Sequence, residues 1–91
     1  MATSRLSVEI AVIDAAKRAL AGGDAAEALR QLDAYRAAFP AGTLAAEATA
    51  LRIDAMARAG RRQEARALLD ELRLNHPDSP LLESLGPIVG Q

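Results

Sequence analysis

The feature that most restricts this chain is an internal repeat. Displaced by 37 residues, the sequence sets Gly23 on Gly60, Glu27 on Glu64, Ala28 on Ala65, Leu32 on Leu69, Asp33 on Asp70, Arg36 on Arg73 and Pro40 on Pro77. The segments GDAAEALRQLDAYRAAFP and GRRQEARALLDELRLNHP each begin where a helix must stop and end where the next must stop. Glycine adopts the left-handed conformation that terminates a helix, and proline cannot continue one. Such a chain stacks one supersecondary unit on a copy of itself, because neither copy can bury its apolar face alone.

Between these signals the apolar residues recur with helical period. Ala28, Leu29, Leu32 and Tyr35 share one face of the first segment, and Ala65, Leu68, Leu69 and Leu72 share the matching face of the second. Asp24 followed by Glu27 has the spacing of a capping box. A further helix precedes each segment, over about residues 5–21 and 44–59, with Thr43 placed as N-cap after the breaker Pro40-Ala41-Gly42. Ser79 as N-cap and Pro80 at the first helical position start a short fifth helix with Leu81, Leu82 and Leu85, ending at Gly86-Pro87. The predicted architecture is all-α: helix-turn-helix repeats over about 5–40 and 43–77, then a capping helix over about 79–86. A chain of 91 residues has room for one such domain, spanning 1–91, and no second core.

Composition sets how those helices meet. Alanine and leucine dominate, and Tyr35 and Phe39 are the only aromatics. A core of small side chains requires close helix approach, so Ala28 and Ala65 are assigned to the crossing of the two helices in each unit.

The side-chain inventory argues against catalysis. There is one histidine, one tyrosine and no cysteine, and the serines and threonines fall mostly at helix caps. His76 has no second histidine nearby to complete a metal-ligand set, so neither metal nor cofactor is expected. Asp70 and Glu71 read as solvated carboxylates, with Arg66 and Asp70 spaced as an i,i+4 pair. Arg58, Arg61, Arg62 and Arg66 form the densest basic cluster, but acidic residues interleave and no aromatics stand by for base stacking. With 11 basic residues against 12 acidic, the overall field suggests neither nucleic acid nor an anionic bilayer. Glu9 and Asp14 interrupt the apolar run near the start, so no signal peptide or spanning helix is expected, and the chain as given reads as cytoplasmic.

The residues Gly23, Ala28, Leu32 and Pro40, and again Gly60, Ala65, Leu69 and Pro77, resemble the tetratricopeptide repeats in their turn and second helix. The spacing of 37 residues is longer than that family's, and the first helices lack its usual Trp, Gly and Tyr. The FP-x-G-x-L-x-x-E-A and H-P-x-S-P runs are similar to repeats of bacterial cell-envelope proteins, which implies a periplasmic domain of a larger envelope protein as the alternative location.

The resemblance implies a peptide groove on the inner surface made by the first helices, at Ile10, Ile13, Lys17, Glu47, Ala50, Asp54 and Arg58. On the first helix itself, Val8, Ala11, Val12, Ala15 and Ala19 form one apolar side, and Leu6, Ile10, Ile13 and Leu20 form another. Ser7, Asp14 and Arg18 mark the polar strip. One apolar side has a partner helix within the unit; the other is left for a protein, a peptide or a second copy of the chain, unless the fifth helix or the tail Ile88-Val89 folds back over it. The expected function is a non-catalytic protein-interaction module, most simply a homodimer through the first helix. The alternative is a regulatory C-terminal tail of an envelope-linked or transcription-regulatory protein.

Overall fold

The computed structural model describes residues 4–88 and contains five helices and, among these residues, no strand: α1 (Arg5–Ala21), α2 (Ala25–Ala38), α3 (Ala45–Arg58), α4 (Arg62–Asn75) and α5 (Leu81–Ile88). The two predicted helix pairs are present as antiparallel hairpins, α1 with α2 and α3 with α4. They stack through α2 and α3, and α5 closes the far end against α3 and α4. The molecule measures 47 × 29 × 19 Å, the elongated shape of a short helical array. Val89, which the sequence offers as part of a covering tail, lies outside the described residues.

Both turns inside the hairpins are built by the glycines that define the repeat. Gly23 and Gly60 each have φ of 82°. The Gly23 N–H donates to the Leu20 carbonyl and the Asp24 N–H to the Ala19 carbonyl; Gly60 to Ala57 and Arg61 to Met56 repeat the pattern. These are paired Schellman bonds, which satisfy carbonyls left free at the helix end. The residue after each glycine then serves as N-cap of the next helix. The Asp24 carboxylate accepts the Glu27 N–H at 2.9 Å. Only half the expected capping box forms, because the Glu27 carboxylate binds Arg30 and Gln31 instead.

Three boundary expectations and one pairing are corrected. Leu44, not Thr43, is the N-cap of α3, and it makes no side-chain cap bond. The fifth helix runs on through Pro87 to Ile88 rather than stopping at Gly86. Asp70 pairs with Arg73 at 3.3 Å instead of with Arg66. At the start of α5, the first helical residue is Leu81 and not Pro80, and the Ser79 hydroxyl accepts the Leu81 N–H at 3.2 Å.

Packing follows the repeat. Ala28 and Ala65 are both fully buried, and so are Leu32 and Leu69 beside them. The alanines let α1 approach α2 and α3 approach α4 closely, as the composition requires. The N-cap Leu44 with Ala48 and Leu51 of α3 packs against Ile13, Ala16, Leu32 and Tyr35, and Ala55 against Leu20 and Ala28. The same displacement carries Leu44, Ala48 and Leu51 onto Leu81, Leu85 and Ile88, which pack on Ala50, Ile53, Ala65, Leu69 and Leu72. In docking terms α5 is thus the opening helix of a third unit.

The ends of the array differ from its interior in polarity. Moved back by one repeat, the strip Leu44, Ala48, Leu51, Ala55 becomes Ser7, Ala11, Asp14, Arg18 on α1, and all four are exposed. At the other end, Glu83, Ser84 and Pro87 of α5 face solvent. Polar outer faces of this kind close a stack instead of extending it.

Candidate interaction surface on the first helix

On the second apolar side of α1, Leu6 and Ile10 remain exposed, each at 45% of full accessibility. They lie on the same flank of α1, one turn apart. On that flank Lys17 reaches across to α3 and pairs with Glu47 at 2.6 Å. The bond and charge of Glu47 raise the Lys17 pKa above its ordinary 10.5. Asp54 and Arg58 pair along α3 at 2.7 Å. Neither α4 nor α5 touches α1, so the fifth helix does not cover this flank.

Two assigned residues are corrected. Ile13 is 2% exposed, and Ala50 8%. Ile13 falls one turn beyond Glu9 on the stripe of α1 that faces α2, where it packs on Leu32 and Tyr35. Ala50 points into the cluster formed by α3, α4 and α5. The surface therefore consists of Leu6 and Ile10 bordered by the Lys17 and Glu47 pair, with the Asp54 and Arg58 pair beyond. On the opposite flank Val8 is also exposed, at 40%.

Behind this flank sits a polar group that sequence reasoning passed over. Glu9 is buried, and its Oε1 accepts the Tyr35 hydroxyl at 2.6 Å and the Leu44 N–H at 3.3 Å. The same Leu44 N–H lies 3.1 Å from the Tyr35 oxygen. Three elements, α1, α2 and the N-cap of α3, thereby share one network. The Tyr35 bond holds the Glu9 carboxyl below its ordinary pKa against the opposing effect of burial, with help from backbone N–H groups at Leu44 and Thr43 and from Arg5. Burial, and then the bond to Glu9, push the Tyr35 hydroxyl up to about 12. Arg5 also lies over the Phe39 ring, 5.4 Å from its centroid, tying the start of α1 to the end of α2.

A signal for Glu9 was present. Glu9, Ile13, Ala16 and Leu20 follow helical spacing, and that stripe is the buried face of α1. The breaker before α3 has its own reason. A Cβ on Gly42 would stand 2.3 Å from the Tyr35 hydroxyl oxygen and 2.7 Å from Glu9 Oε1. Gly42 is there so that backbone can pass over the network, and not for an unusual φ.

The remaining candidates are dispersed. His76 is exposed at the C-cap of α4, and the described residues contain no cluster of metal-ligating side chains. In the basic cluster Arg58 pairs with Asp54 and Arg61 with Glu64, while Arg62 and Arg66 face solvent. No helix among the described residues is long and apolar enough to cross a membrane. Comparison of the chain with known protein families, with curated proteins and with solved structures returns no match.

Proposed function

We propose that this chain is a non-catalytic protein-interaction module, a tetratricopeptide-like pair of helical hairpins that associates with a second copy of itself through the inner flank of α1. The observation that carries this reading is the pair of large apolar side chains, Leu6 and Ile10, left exposed while α5 packs at the opposite end of the array. Isolated exposed apolar residues are ordinary on a protein surface. Here the two stand together and are bordered by the Lys17 and Glu47 pair, an apolar centre with a charged rim as protein interfaces have.

The polarity of the ends supports a lateral association over an end-to-end one. Ser7, Asp14 and Arg18 stand where an extending stack would need the apolar strip that α3 uses, so a copy docks beside the array and not on top of it. Sedimentation velocity at micromolar concentration tests the reading. A dimer is expected for the native chain and a monomer for Ile10→Glu, with the helical circular dichroism unchanged. A partner peptide or helix using the same flank would instead leave the native chain monomeric and bind it in a manner that Ile10→Glu abolishes.

A further inference from the structure

The outer side of the array, away from α1 and α5, holds a groove of about 290 Å³ between α2 and α4, floored by the first half of α3. Its lining combines aromatic and apolar groups, among them Phe39, Pro40 and Leu68, with the cations Arg36 and Arg52. Arg52 is the unusual member. It projects from the buried stripe of α3 and is only 8% exposed as a residue. A buried charge is costly unless it is paired and hydrogen-bonded.

Arg52 is paired through one nitrogen only. Its Nη2 lies 2.7 Å from Asp33 Oδ1, and no second carboxylate pairs with the guanidinium among the described residues. Asp33 is 62% exposed at its side chain and lies outside the groove. The guanidinium therefore keeps donor capacity that one exposed carboxylate does not use. Arg36, one turn beyond Leu32, brings a second guanidinium to the same lining. Glu71 is the one carboxylate there.

We propose that this groove is a receptor for a carboxylate, carried by an acidic side chain of a peptide with apolar neighbours. Arginine engages a carboxylate through parallel N–H donors, which an ammonium cannot imitate. Asp33 and Glu71 already offset part of the positive charge, so a singly charged acid matches the site better than a doubly charged phosphate. Phe39, Pro40 and Leu68 supply the apolar contact for the flanking side chains. The volume lies at the small end for binding pockets and suits one or two side chains. The site is on the face opposite Leu6 and Ile10, so it functions whether or not the chain dimerises.

The test is an NMR titration of the full chain, following the arginine side-chain Nε–H resonances. The probes are acetyl-Leu-Glu-Leu-amide and its glutamine counterpart. The glutamate peptide is expected to shift the Arg52 and Arg36 signals together with the backbone amides of Phe39, Ala46 and Thr49. The glutamine peptide should bind about tenfold more weakly, the loss of a charge-assisted contact. Arg52→Lys should weaken the glutamate peptide similarly. Because Arg52 is buried, the exposed Arg36→Ala provides a second variant that leaves the core intact, and it too should lower affinity several-fold. Equal response to both peptides, shifts scattered outside the groove, or unchanged affinity in Arg36→Ala would overturn the proposal. Tighter binding of the phosphoserine counterpart than of the glutamate peptide would overturn the choice of carboxylate.

Discussion

The Tyr35 hydroxyl donates to Glu9 Oε1 at 2.6 Å across 26 residues of sequence, joining α1 to α2 inside the first hairpin. Because the chain has a single tyrosine, this contact can be read directly from the ultraviolet titration of tyrosinate. The folded protein is expected to ionise Tyr35 at a pKa of about 12, against 10.0 in denaturant. A hydroxyl that is harder to ionise when folded contributes stability that is complete below pH 10 and lost as the pH rises toward 12. Glu9 has the opposite sign. Its folded pKa lies below 4.5, so its contribution is complete above that pH and lost as the pH falls through the lower folded value. Tyr35→Phe should flatten the alkaline limb and cost about 1–3 kcal/mol, the effect of leaving a buried acceptor without its donor. A native titration midpoint at 10.0 would remove the network from the account.

Two glycines should fail on substitution for different reasons. Gly42→Ala drives a methyl into the Tyr35 hydroxyl and Glu9, with a cost of about 1–3 kcal/mol for overpacking. Gly23→Ala meets no atom within 4 Å but must hold φ of 82°, at a cost of about 1–2 kcal/mol. The distinction shows in the Tyr35→Phe background. There the nearest clash of Gly42→Ala is removed and its cost should fall, while that of Gly23→Ala stays the same. Denaturant unfolding of the four variants measures this.

The repeat makes its own prediction about equivalence. Leu32 and Leu69 are 1% and 0% exposed, at matching positions in the two hairpins. Truncation of either to alanine should cost about 2–5 kcal/mol. At the matching surface positions, Arg36→Ala and Arg73→Ala should each stay within about 0.5 kcal/mol of the native chain. Comparable losses at the leucines and the arginines, by chemical denaturation, would contradict the alignment of the two units.

How much of this was legible in the sequence depends on the kind of signal. The helices were readable because Gly23, Gly60, Pro40 and Pro77 act locally, and α1 occupies the predicted span of Arg5 to Ala21. The Ala28 and Ala65 crossings were readable because size alone decides them. The third echo of the repeat in Leu81, Leu85 and Ile88 was present but hidden, since a docking strip carries no glycine or proline of its own to mark it. The surface was harder to read. Ile13 and Ile10 carry the same side chain three residues apart, and only the direction of α2 decides that one is buried and the other exposed. Arg52 and Glu9 are polar residues on buried stripes. Composition treats them as surface, and their partners Asp33, Tyr35 and Leu44 become visible only when the hairpins are stacked.

The central claim is that Leu6 and Ile10 on α1 form an association surface, and sedimentation velocity of the native chain beside Ile10→Glu tests it most directly. The account predicts a concentration-dependent dimer for the native chain and a monomer of unchanged helicity for the variant. Identical monomeric boundaries for both across the micromolar range would contradict the self-association proposed here.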